Sequence, residues 1–101
     1  MSIEFQQTIP VLRIFDAAKS SEFYIDYLGF TLDWEHRFDV AAPVYRQVSR
    51  GSLVFHLSEH HGDATPGARV FIWMKGIEKF HQELSDKKYK YMRPGLETTF
   101  Y

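Results

Sequence analysis

The stretch FDAAKSSEFYIDYLGF, Phe15 to Phe30, decides how the rest of the chain is read. Asp16 stands where an N-cap belongs, with a short carboxylate able to accept from the free amides of a first helical turn. Beyond it Ser20, Phe23, Tyr24, Tyr27 and Leu28 recur at helical spacing and share one face. Gly29 closes the run as a C′ glycine does, because a left-handed residue there carries no Cβ penalty. The spacing predicts one short amphipathic helix with a start and a stop signal.

Extended segments lie on both sides of it. TIPVLRIF (Thr8–Phe15) alternates and is rich in β-formers. TLDWEHRF (Thr31–Phe38) sets Leu32, Trp34, His36 and Phe38 against Asp33, Glu35 and Arg37. After the loop DVAAP come VYRQVSRG and SLVFHLSEH, two strands around a tight turn at Arg50–Gly51–Ser52. Residues 8–60 thus read as one β-α-β-β-β module. HGDATPG, residues 61–67, is the linker, with Gly, Pro, Asp and Thr together.

The pattern then restarts. ARVFIWM reads as a strand, and GIEKFHQELSDKK as a helix with Ile77, Phe80, His81 and Leu84 inward. YKYMRP and LETTFY read as extended. Aligning the two helices sets Phe23-Tyr24 on Phe80-His81 and Leu28 on Leu84, an offset of about 56–57 residues. A duplicated module is the economical explanation, within one domain of residues 1–101 whose second module occupies 68–101. A full second copy would run to about residue 120, so roughly the last two strands are expected to be missing. Open sheet edges left by such a module call for a partner chain.

Bulk properties exclude several classes. The net charge is −1, from 12 basic and 13 acidic residues, which offers no electrostatic footprint for nucleic acid or an acidic membrane. Without cysteine there is no disulfide, thiolate nucleophile or Cys-ligated zinc. The N-terminus lacks the basic and apolar regions of a signal peptide, and no window has the length of a membrane span, so a cytoplasmic protein is expected. Aromatic residues reach 17%, more than a small core needs, which points to an aromatic-lined cleft or a subunit interface. No Gly-x-Ser-x-Gly elbow or Gly-rich phosphate loop is present.

The order Asp16, Phe23-Tyr24, Leu28-Gly29-Phe30 resembles the first helix of the vicinal oxygen chelate superfamily, which includes glyoxalase I, bleomycin and fosfomycin resistance proteins and extradiol dioxygenases. The sequence HLSEHHGD…PGA, followed by a helix and RPG, looks more closely like the small bleomycin-resistance-type proteins of bacteria. The resemblance implies an α+β fold of tandem βαβββ modules, the glyoxalase/bleomycin resistance/dioxygenase fold, with the second module incomplete here. Enzymes of that superfamily hold a divalent metal in the cleft of a curved sheet. Carried onto this chain, the ligand positions fall at Ile9, His56 and Arg69, with the eighth strand absent. One ligating side chain falls short of the three that a catalytic metal needs.

Strand alternation gives a second view of the same cleft. With His56 facing it, Leu53, Phe55 and Leu57 turn to an apolar core. On the first strand Leu12 and Ile14 are core, with Ile9, Val11, Arg13 and Phe15 opposite. On the fifth Val70, Ile72 and Met74 are core, leaving Arg69, Phe71 and Trp73 on the cleft side. His56 is the strongest ligand candidate, set against a satisfied, partly buried histidine. Arg69 offers a clamp for an anion or an internal ion pair. Phe71 and Trp73 offer stacking surfaces or inter-module packing. Tyr45 and Gln47 have the amphipathic character of lining groups, and His36 and Phe38 share a face of either cleft or dimer surface. Glu59, His60 and His61 read as a solvated turn, and His81 as packing.

The expectation is a protein of the bleomycin-resistance type that sequesters an aromatic or cationic small molecule without catalysis. It would carry no cofactor and would work as a homodimer, with strand exchange between copies as one way to close it. The alternative is a metal-dependent lyase, isomerase or dioxygenase with one divalent ion. A further alternative is an inactive truncated product.

Overall fold

The structure, a computed structural model, describes residues 2–92 and 94–99. Of the C-terminal segments expected to be extended, Arg93, Phe100 and Tyr101 lie outside the described residues. The chain separates into two compact units, Met1–Val70 and Phe71–Tyr101.

In the first unit β1 (Val11–Arg13) leads into α1 (Ala17–Ser20), which continues in π-helical winding over Ser21–Tyr27; β2 (Thr31–His36), β3 (Tyr45–Arg50) and β4 (Leu53–Ser58) follow. The order in the sheet is β1-β4-β3-β2. β1 pairs parallel to β4, while β4 with β3 and β3 with β2 pair antiparallel. This is the β-α-β-β-β module that the alternation predicts. The helix carries the chain from β1 to β2 at the opposite edge of the sheet, and antiparallel pairing then brings β4 back beside β1, with a two-residue turn sufficing between β3 and β4. Gly51 opens that turn at φ +59°, a conformation its missing side chain makes accessible.

Both helix signals act as expected. The Asp16 carboxylate accepts from the Lys19 amide at 2.9 Å, and Gly29 stands at φ +79° with its amide on the Ile25 carbonyl. Between them the winding differs from the α-helix that the spacing predicts. The Leu28 amide bonds to the Phe23 carbonyl, five residues back, at 2.9 Å. Such wide turns are rare and short. Phe23 and Tyr27 remain in ring contact at 5.8 Å. Replacing Asp16 with alanine leaves the helix start uncapped and lowers unfolding free energy by about 1 kcal/mol, measurable by urea denaturation.

The core lies between this helix and one sheet face. Ile14, Phe30, Val44, Val48, Phe55 and Leu57 are buried, and Leu12, Tyr24, Ile25, Leu28, Leu53 and Val70 pack against them. Phe30 stacks on Phe55 at 5.2 Å and 16°, and Tyr24 meets the Phe55 ring edge-on. These are the core-facing positions expected on β1 and β4.

β2 departs from its expected alternation. Leu32 pairs with Val48 and Trp34 with Gln47, so two steps on β2 match one on β3. This β-bulge brings Asp33 and Trp34 to the same side of the sheet. Leu32 and Glu35, opposite Val48 and Arg46, belong to the other side.

In the second unit α2 (Ile77–Asp86) starts at Gly76, φ +80°. His81 Nε2 lies 2.8 Å from the Pro94 carbonyl; since a carbonyl only accepts, the ring carries its proton on Nε2 and donates. The expected fifth strand, residues 68–74, forms no ladder among the described residues. A strand exists only through a neighbour that takes its amides and carbonyls, and no described segment pairs with this one. Ile72 and Met74, read as core, are accordingly exposed. No described helix is long and apolar enough to cross a membrane.

Candidate functional site

The sheet face away from the core carries polar and aromatic groups in register. Val11, His56, Gln47 and Trp34 form one row across the four strands, and Arg13, Ser58, Tyr45 and His36 the next. Paired residues on neighbouring strands share a face, so these side chains meet without any loop rearrangement.

A continuous hydrogen-bond chain runs through them. The Tyr45 hydroxyl lies 2.8 Å from His56 Nδ1, and His56 Nε2 lies 2.9 Å from Gln47 Oε1. Gln47 Nε2 donates to Asp33 Oδ2 at 3.0 Å, and Ser49 Oγ donates to Asp33 Oδ1 at 3.0 Å. The direction follows from its anionic end. A carboxylate only accepts, so the Gln47 amide must turn its nitrogen to Asp33 and its oxygen to His56. His56 Nε2 then donates, leaving Nδ1 as the acceptor for the Tyr45 hydroxyl. Trp34 stacks on Tyr45 at 6.1 Å and 15°, and meets the His56 ring edge-on at 5.3 Å. With 44% of its surface exposed, Trp34 offers an indole face to solvent.

The electrostatics keep these groups in fixed roles. Hydrogen bonds from Gln47 and then Ser49 hold the Asp33 carboxyl below the usual carboxylate range, so it is an anion at neutral pH. Burial, with a smaller contribution from the Asp63 charge, raises the Tyr45 phenol above its ordinary value. Tyr45 is therefore a neutral hydroxyl and not an activated oxyanion.

One end of the face is closed by the turn after β4. Ser58 donates to Asp63 Oδ2 at 2.6 Å, Glu59 Oε1 accepts from the Val44 amide, and Arg13 donates to the His60 carbonyl at 2.8 Å. Glu59 thus ties the end of β4 to the residue before β3 and the His60 carbonyl holds Arg13; both residues are half-buried, and of the turn expected to be solvated His61 is exposed. Beneath the site Arg46, on the core side of β3, is buried and reaches Glu35 on β2 at 3.1 Å and Ser21 Oγ on the helix at 2.7 Å.

Of the expected site residues, the structure brings together Tyr45, Gln47 and His56, with His36 in the neighbouring row. Phe38 lies beyond the end of β2, exposed, with its ring edge-on to His36 at 5.1 Å. Arg69 is exposed at the end of the first unit. Phe71 and Trp73 belong to the second unit and meet edge-to-face at 5.1 Å. Sequence reasoning missed Asp33, Trp34, Ser49 and Arg46. Trp34 was legible from its shared face with His36, but strict alternation put Asp33 on the opposite side.

Among the described residues no three His, Asp or Glu side chains gather as a metal site requires. At the positions expected for ligands, Ile9 and Arg69 cannot serve, and both nitrogens of His56 are engaged by Tyr45 and Gln47. That donor set does not fit a resident divalent ion.

A family model described as glyoxalase superfamily protein matches residues 1–101. No curated protein matches the chain. Among solved structures, the bleomycin-binding protein from bleomycin-producing Streptomyces verticillus, complexed with copper(II)-bleomycin, is similar at 26% identity and a TM-score of 0.64. That match covers 84% of this chain and 66% of that one, so the chain spans just under two thirds of its length. A glyoxalase family protein from Enterococcus faecalis matches at 13% identity and a TM-score of 0.52, over 83% of this chain and 71% of that one. The protein SMU.1112c matches at 19% and 0.57, over 82% and 74%. The last two likenesses concern the fold alone.

Proposed function

The chain belongs to the glyoxalase superfamily, and from that premise we propose that it is a small-molecule binding protein of the bleomycin-resistance type. Its open sheet face would hold an aromatic ligand without making or breaking a bond. The observation that carries this reading is the closed hydrogen-bond chain under an exposed indole. Each side chain along it, Tyr45, His56, Gln47, Asp33 and Ser49, already has a partner, and the phenol is held protonated. A general base or nucleophile needs a free lone pair on a group basic enough to use it; both His56 nitrogens are engaged and hydrogen bonds keep the Asp33 carboxylate weakly basic, so this arrangement supplies orientation and a stacking surface instead. The likeness to a bleomycin-binding protein supports the same class, with antibiotic resistance as its physiological sense. Cytoplasmic location, a homodimer and the absence of a resident cofactor belong to the proposal. Light scattering checks the dimer.

Titration with metal-free bleomycin and with planar aromatic compounds, followed at the Trp34 indole N–H by NMR, tests the reading. Trp34→Ala should weaken binding tenfold or more, since a stacked aromatic anchor is lost. Unchanged affinity in that variant, or turnover of a bound compound, overturns it. Near-stoichiometric metal in protein purified without chelators or immobilised metal would instead favour the metal-dependent lyase or dioxygenase alternative.

A further inference from the structure

We propose that the bulge residue Asp33 sets the charge specificity of this face, so that its ligand is a planar molecule bearing a cationic hydrogen-bond donor, an amidinium, guanidinium or ammonium, seated beside the Trp34 indole. The inference rests on the reading of the open face as a binding surface and goes on to say what that surface selects.

Its basis is the direction of the hydrogen-bond chain. From Tyr45 to Asp33 each group donates toward the carboxylate, so the donor capacity of His56 is spent inside the chain. What remains outward at the two ends is acceptor capacity. Asp33 keeps lone pairs on both oxygens after accepting one bond on each. Tyr45, donating its hydrogen to His56, keeps its oxygen lone pairs. The second Gln47 amide N–H apart, a ligand seated at either end of the chain must therefore bring donors.

Three further observations make the Asp33 end cationic in its preference. The bulge puts the carboxylate on the side of the exposed indole face, where a cation gains both a counter-charge and the ring quadrupole. Gln47 and Ser49 grip one carboxylate oxygen each, so the anion is preorganised and not a mobile surface acid. The cation of the neighbouring row, Arg13, is turned away: its guanidinium serves the His60 carbonyl and lies 4.6 Å over the Phe15 ring. It sits on β1, across β4 and β3 from Asp33 on β2.

The test uses one ring with three charges: 2-naphthamidine, 2-naphthamide and 2-naphthoate. Each is titrated by NMR at the Trp34 indole N–H and the Gln47 side-chain amide. The amidine should bind about five- to tenfold tighter than the amide, as expected for one partly exposed charge pair, and the carboxylate weakest. Asp33→Asn should bring the amidine down to the affinity of the amide, while Glu4→Gln, at an exposed acid, should preserve the difference between them. Raising salt on the unaltered protein should shrink the same advantage, a readout independent of how the variant folds. Equal affinities of amidine and amide, or an advantage that survives Asp33→Asn or high salt, overturn the charge assignment while leaving the binding surface intact. Binding of all three that is indifferent to Trp34→Ala overturns the binding surface, and the charge assignment with it.

Discussion

Phe55→Ala should cost about 4 kcal/mol of stability, the largest loss expected from truncating any one side chain of this core. Phe55 sits on the central strand β4 with 5% of its surface exposed. Phe30 stacks on it, and Tyr24 from the helix meets its edge. The ring thus joins the sheet to the helical segment and to the residue that follows its glycine stop. Truncation removes the transfer free energy of a phenyl group and leaves a cavity that a rigid sheet cannot close. In a domain this small, with total stability of about 5–15 kcal/mol, such a loss brings the chain close to unfolding at 37 °C. Urea denaturation gives the value directly. A cost under about 1 kcal/mol would mean that the helix repacks freely on the sheet.

Arg46→Ala should cost about 3 kcal/mol, within the range for breaking a buried, hydrogen-bonded ion pair. Its guanidinium bonds to Glu35 and Ser21, tying the edge strand and the helix to β3. The side chain of Glu35 keeps 37% exposure, so water recovers part of its loss and the pair alone contributes modestly. The remainder is the buried stem and the bond to Ser21. Arg46→Met retains the stem and should therefore recover about half of the cost. A double-mutant cycle with Glu35→Gln isolates the coupling, expected near 1 kcal/mol. Should Arg46→Met prove as stable as the parent, packing alone accounts for the residue and the ion pair adds nothing. Because Arg46 lies between Tyr45 and Gln47 in the chain, its variants should also disturb the orientation of both.

The β-α-β-β-β frame was legible because its signals are local. Asp16 and Gly29 bracket the helix, and the alternation of β1 and β4 puts Leu12, Ile14, Phe55 and Leu57 into the core they occupy. Tyr45, Gln47 and His56 could be placed on one face by that same period of two. Asp33 could not. A bulge is an insertion relative to a partner strand, and nothing in TLDWEHRF shows how its partner is registered. Arg46 was passed over for a different reason. A charged side chain at a core position becomes intelligible only when Glu35 and Ser21 are seen to meet it. The π-helical winding, too, left no trace in a spacing that an α-helix would equally satisfy. Residues 68–74 show the converse limit: a strand-like composition states a preference, and the ladder is made by a neighbour.

The bulge in β2 also bears on how concentrated this protein can become. β2 is an edge of the sheet, with all six of its residues exposed. A straight edge of that kind invites a second chain to dock along it and start a fibril. One extra residue, carrying a charge, interrupts the row of amides and carbonyls that such a guest would read. The residue proposed to set ligand charge is thus the same one that breaks this edge. A variant that regularises the strand by deleting Asp33 would be expected to precipitate as well as to lose its charge preference.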